Sequence, residues 1–197
     1  MQPNRATGRR IMAMADEIGG KDLLYLDDLQ VGQRFVSKTL LVDEAQIKAF
    51  ARQFDPQPFH LDENAAKDSL FSGLVASGWH TAAMTMRLLV ETGLPLAGGL
   101  VGAGGELSWP QPTRPGDILR VESEVQEIIP SRSRPDRGVV VTRIVTRNQR
   151  DEVVQILVAK LGTAPSVAAT SRSAIGRPRY AIYSAGVVIC RLMAGLA

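Results

Sequence analysis

Cysteine is nearly missing: Cys190 is the only one in 197 residues, so no internal disulfide can form and nothing asks for an oxidising compartment. With only two histidines beside it, the chain falls short of the four Cys/His ligands of structural zinc and of the three that a catalytic zinc takes, which sets aside a dedicated transition-metal site. Aromatic residues make up 5% of the chain and the net charge is only +3. The basic residues are scattered, without a Lys/Arg run or interleaved aromatics, so nucleic acid is not an expected partner. A mildly basic surface suits an acidic small molecule equally well. The apolar end of the chain is shorter and more broken than the ~20 residues of a spanning helix. Met1 to Lys21, mixing Arg5, Arg9, Arg10, Asp16 and Glu17 with small residues, has no apolar signal core. No membrane span and a cytoplasmic address are the expectations.

What is there suits one domain. Hydrophobic residues make up 45% of the chain, enough for a sizeable core at this length. The expected division is a loose leader over residues 1–22, a folded domain over 23–165 and an appendage over 166–197. That appendage is Ser/Ala/Arg-rich and then apolar from Tyr180, a docked or frayed helix rather than a membrane anchor.

Within the domain, Gln33 to Val42 is rich in β-formers and follows Val31-Gly32, predicting a strand entered through a turn. Asp43 with Gln46 reads as a helix cap, and Ile47, Phe50, Ala51 and Phe54 fall at i, i+3, i+4, i+7, predicting an amphipathic helix. A short helix follows over Asp62 to Lys67, opened by acidic residues that suit its dipole. Thr81 to Val90 reads as a helix apolar nearly all round, which must be wrapped on most sides; Gly93 supplies its stop. Leu100 to Trp109, Ile118 to Ile129, Gly138 to Thr146 and Val153 to Gly162 read as strands. Their short links preclude crossovers, so the sheet is antiparallel and the fold class α+β.

The residues with chemical content lie between the first two helices. Asp55-Pro56-Gln57-Pro58-Phe59-His60-Leu61 places a carboxylate and an imidazole five positions apart on a segment stiffened by two prolines, each of which fixes its own φ and biases its predecessor toward extended backbone. A kinked loop can converge both side chains on one small molecule or water, the arrangement acid/base chemistry needs. Asp55 read alone caps the turn after a helix, and His60 alone packs behind Phe59.

The stretch from Phe50 to Val90 resembles the MaoC-like dehydratases, also called (R)-specific enoyl-CoA hydratases: an Asp, a Pro, a His five residues after the Asp, and later a Gly opening a long helix fall on Asp55, Pro58, His60 and Gly78. The resemblance spans Leu26 to Thr163. It implies a hotdog fold, with a five- or six-stranded antiparallel sheet wrapped around a Ser77 to Glu91 helix, paired with a second copy as a homodimer. It also implies an enzyme of fatty acid metabolism, a hydro-lyase that hydrates trans-2-enoyl-CoA reversibly to (R)-3-hydroxyacyl-CoA. Asp55 and His60 would then be the acid/base pair and the Gly78 N–H the donor to the thioester oxygen. No cofactor is implied beyond coenzyme A within the substrate, which arrives as an acyl-CoA or acyl carrier protein thioester. Four positions depart from the family pattern: Phe54 for a Gly, Gln57 for an Asn, Ser77 for a His, and Met86 for a helix serine. These alter what surrounds the pair and leave the acyl group open.

Further candidates for substrate contact are Ser77, Trp79 and His80 at the helix start, His80 being equally a helix-face or interface residue. Arg132, Arg134 and Arg137 form a loop that either is solvated or meets coenzyme A phosphates through bidentate guanidiniums. Trp109, Pro110 and Pro112 are expected to end a strand and pack at its edge, with substrate contact as the alternative. Two other functions fit the same scaffold: hydrolysis of the acyl thioester, and acyl-thioester binding without turnover.

Overall fold

The computed structural model describes residues 23–134 and 137–163; the expected leader, the expected appendage and Cys190 lie outside them. Asp43 caps the first helix, its Oδ1 accepting from the Gln46 N–H at 2.9 Å, and α1 runs Glu44–Phe54. Ile47 and Ala51 are fully buried, but Phe54 is 62% exposed, so the apolar stripe ends one turn earlier than its spacing predicts. Phe54 instead leans on Phe50, with ring centroids 4.9 Å apart.

The expected loop over Asp55 to Leu61 is shorter than its sequence suggests. Asp55 to Gln57 make a tight elbow, closed by Gln57 N–H donating to the Asp55 carbonyl at 2.8 Å. Pro58 then opens a single helical turn, α2, over Pro58–Leu61. Proline fits that first position because the missing N–H would have had no intrahelical partner. Asp62 caps α3, Glu63–Lys67, with Oδ1 accepting from Asn64 and Ala65 N–H.

Six strands form one antiparallel sheet: β1 Arg34–Val36, β2 Leu40–Leu41, β3 Val101–Ser108, β4 Ile118–Pro130, β5 Gly138–Arg147 and β6 Val153–Gly162. The order is β1-β4-β5-β6-β3, with β2 also on β4. The single strand expected over Gln33 to Val42 is thus two. Ser37 interrupts it: its hydroxyl, rather than a backbone carbonyl, accepts from the Val121 N–H at 2.9 Å, while Lys38 N–H leaves the ladder for the Thr92 hydroxyl. β3 sits at the sheet's end; all its residues are exposed except half-buried Leu107, and among the described residues no strand covers its outer edge.

The central helix α4 runs Gly78–Leu88 and continues as a wider π turn over Leu89–Gly93. Met84, Leu88 and Leu89 pack into a core with Leu119, Val121 and Val125 of β4, Ile144 of β5 and Val154 and Leu161 of β6. Each such side chain contributes about 1.5–3 kcal/mol by leaving water. The helix is not wrapped on all sides as its composition suggests. Trp79, Met86 and Val90 are 50%, 42% and 52% exposed, an open apolar stripe at i, i+7, i+11. No helix among the described residues is long and apolar enough to cross a membrane.

Candidate active site

Three short segments deliver the site. Asp55 ends α1, His60 sits in α2, and the buried strap Leu74 to Ser77 leads into α4. The strap crosses over α2, its Val75 carbonyl accepting from His60 Nδ1 at 2.8 Å. It is pinned on its other side by Ala76 N–H donating to the Thr113 carbonyl at 2.8 Å. A carbonyl can only accept, so Nδ1 carries a proton in either charge state of the ring and Nε2 is the nitrogen left to exchange one. Nε2 lies 3.4 Å from Asp55 Oδ2. The elbow and the helical turn therefore bring together the two side chains that the sequence sets five residues apart.

Asp55 is gripped at both oxygens. Gln57 Nε2 donates to Oδ1 at 2.8 Å and the Ser77 hydroxyl to Oδ2 at 2.6 Å. Partial burial pushes its carboxyl up, but the hydrogen bonds from Ser77 and Gln57, with His60 adjacent, outweigh that and hold it below the usual carboxylate range. The side chains of His60 and Asp55 are 5% and 19% exposed, which leaves the carboxylate as the wetter member of the pair.

Both groups line a cavity of about 310 Å³ with Ser77, Gly78, Trp79, Trp109 and Thr113. Gly78 is the first residue of α4, and its N–H is one of those that helix geometry leaves without an internal partner. A side chain there is impossible as the site stands: a Cβ would lie 2.8 Å from Cε2 and 2.9 Å from Cδ2 of Trp109. That indole is fixed in turn, its Nε1 donating to Oε1 of fully buried Gln155 on β6 at 3.0 Å. A donor N–H at a helix N-terminus, beside a carboxylate and an imidazole, is suited to hold an anion while protons move next to it.

Of the other candidates, Ser77 and Trp79 line the cavity and His80 does not. The His80 ring stacks on Phe50 at 4.7 Å and 9°, and burial pushes its pKa down, so it belongs to the α1–α4 packing. Arg132, Arg134 and Arg137 lie in the β4–β5 connection. The cavity's Gln111 to Thr113 precede β4, and a 13-residue strand spans about 40 Å, so these guanidiniums are at the far end of the sheet from this chain's own cavity. Trp109 and Pro112 do line it, Trp109 directly following the end of β3 at Ser108 as expected. The sequence contained one signal for this: Gln155, a polar residue in the otherwise apolar run Val153 to Val158, is there to receive an indole. Thr85, beside the substituted Met86, is tied away from the site by a buried 2.7 Å bond to the Thr146 hydroxyl.

A family model described as MaoC like domain matches residues 28–149. The chain belongs to the MaoC-like family. A MaoC-like dehydratase from Rhodospirillum rubrum has a structure covering 73% of this chain and 98% of its own, at 63% identity and TM-score 0.71. The unliganded R-hydratase of Pseudomonas aeruginosa covers 83% of this chain and 97% of its own, at 26% identity and TM-score 0.59. Among curated proteins, a 3-hydroxybutyryl-CoA dehydratase of Methylorubrum extorquens is 35% identical over 113 residues, 57% of this chain and 70% of that protein. The sheet and helix of this MaoC-like chain are accordingly a hotdog fold.

Proposed function

We propose that this MaoC-like protein is an enoyl-CoA hydratase, adding water reversibly to a trans-2-enoyl-CoA to give the (R)-3-hydroxyacyl-CoA. The observation that carries the reading is the 3.4 Å approach of His60 Nε2 to Asp55 Oδ2 at the wall of a cavity that Gly78, the first residue of α4, also lines. Water is a poor nucleophile, and a carboxylate and an imidazole facing one volume orient it and take its proton as its oxygen bonds to C3. The electron pair of the double bond moves toward the thioester carbonyl, whose oxygen gains negative charge against Gly78 N–H and the positive end of α4. A proton returned from the pair to C2 completes the addition with atoms and charge balanced. The chemistry needs no resident cofactor, coenzyme A entering as part of the substrate. The carrier is coenzyme A rather than acyl carrier protein on the strength of the dehydratase relative, whose name specifies a CoA ester.

The working unit in this reading is a homodimer. An open edge strand beside an apolar helix stripe is an interface profile, since an uncovered edge invites pairing and a second copy covers both at once. Light scattering should give twice the chain mass, and Met86→Glu with Val90→Glu should halve it.

The activity test is direct. Purified protein should remove the conjugated absorbance of crotonyl-CoA in water, and Asp55→Asn or His60→Ala should lower kcat by roughly 10²–10⁴-fold with folding intact. Full activity in both variants would refute the assignment.

A further inference from the structure

Ser77 stands between the two catalytic candidates and the helix that carries the oxyanion donor, and its contacts go beyond lining a cavity. It is 1% exposed. Its Oγ accepts from Trp79 N–H at 3.2 Å, capping α4, and donates to Asp55 Oδ2 at 2.6 Å. A hydroxyl has one proton, and the Trp79 N–H can only donate, so that proton is committed to Asp55. The residue's own backbone is fixed too: its carbonyl accepts from Thr81 N–H at 3.0 Å, and the preceding Ala76 N–H is held by Thr113.

We infer that Ser77 is a positioning residue for the Asp55/His60 pair, its helix-anchored hydroxyl holding Asp55 in one rotamer and keeping its carboxylate ionised so that His60 Nε2 carries the moving proton. The geometry behind this is a division of labour within three consecutive residues. The Val75 carbonyl fixes the imidazole, and the Ser77 hydroxyl fixes the carboxylate. One strap thus sets both partners, although they reach it from different elements, α1 and α2. Gln57 secures the other oxygen from the exposed side, where water competes with it; Ser77, itself 1% exposed, does so from a part-buried position, where water competes less. Protonating Asp55 would cost at least one of these bonds, whereas His60 can gain and lose a proton at Nε2 without disturbing its bond to Val75. Among the described residues acting on Asp55, His60 is the titratable one, and Ser77 and Gln57 are neutral donors.

This rests on the hydratase reading, and the test separates the two. Ser77→Ala removes the hydroxyl and weakens the helix cap; Ser77→Gly removes the hydroxyl at a capping cost of only a few tenths of a kcal/mol. Both should lower kcat on crotonyl-CoA by about 10–100-fold, the worth of a hydrogen bond to a charged group. KM should stay within about twofold, and the acid limb of the pH–kcat profile should move to higher pH. Ser77→Thr, which keeps a hydroxyl and a cap, should restore the wild-type profile. Independently of turnover, ¹³C NMR titration of the Asp55 carboxyl should show its midpoint raised in the Ala and Gly variants. An unmoved Asp55 midpoint would overturn the inference whether or not crotonyl-CoA is hydrated. So would activity loss that follows melting temperature alone, large in Ala and slight in Gly. A wild-type protein inert on crotonyl-CoA with a shifted midpoint would instead count against the hydratase reading while upholding the Ser77 contact.

Discussion

Gly78→Ala tests how tightly the first residue of α4 is built against the sheet. The new methyl would stand 2.8–2.9 Å from the centre of the Trp109 indole, far inside van der Waals contact. Either the helix start backs away, an overpacking strain of about 1–3 kcal/mol, or the indole yields. If it yields, the 3.0 Å bond to Gln155 breaks and leaves the amide of a residue with no exposure unpaired, a further ~1–3 kcal/mol. The expected loss is therefore about 1–3 kcal/mol if only the helix start gives and about 2–6 kcal/mol if the indole is displaced as well, read as a fall in the urea midpoint at fixed protein concentration with an unchanged slope. The same substitution in a Trp109→Leu background, where the ring is gone, should cost under ~1 kcal/mol, and the difference is the coupling energy of a double-mutant cycle. Equal costs in the two backgrounds, or a loss below ~0.5 kcal/mol in the parent, would refute the argument that this glycine is dictated by the indole behind it.

Three other outcomes follow from named contacts. Asp55 has its folded pKa lowered, so its contribution to stability is fully present above the unfolded value near ~3.9 and is lost as pH falls through the folded one. The stability gap between wild type and Asp55→Asn should thus narrow below about pH 4, and a gap constant from pH 7 to pH 3 by denaturant titration would contradict it. Thr85→Val should cost about 1–3 kcal/mol by stranding the buried Thr146 hydroxyl. Adding Thr146→Val should recover part of that cost, and strict additivity would show that the two hydroxyls are not paired. Asp43→Ala, which removes the α1 cap, should lower stability by about 1 kcal/mol in thermal or chemical melts, with no change indicating that the first turn finds another acceptor.

Much of the fold was legible where local chemistry and burial agree. β6 falls on its expected span, and β4 alternates buried Leu119, Val121, Ser123 and Val125 with half-exposed neighbours, the period-two pattern of a one-sided strand. The Asp43 cap and the short acid-capped helix were readable for the same reason. The misread elements depend on partners distant in sequence. Ser37 breaks its strand because its hydroxyl meets Val121, 84 residues away, and nothing local announces that. The apolar surround of α4 is real composition, but one face of it remains open in the single chain, and composition cannot tell a core from an interface. Asp55 and His60 stand out by their spacing on a proline-stiffened segment, and Gly78 enters through the resemblance to the family. The grip of Ser77 on Asp55 crosses 22 residues and has no local signature, while Trp109's anchorage at Gln155 crosses 46 and is announced only by that one polar residue in an apolar strand. The distance of Arg132, Arg134 and Arg137 from this chain's own cavity is also readable in advance, since a 13-residue strand already implies the length that separates its two ends.

The chain's two tryptophans are both in the cavity wall, edge to face with centroids 5.5 Å apart. Its tryptophan emission, excited selectively at the red edge where the three tyrosines do not absorb, therefore originates wholly at the pocket, with no background from indoles elsewhere. Ligand titrations can be followed without a label, and a Phe replacement at either position would assign each signal to one side of the chamber.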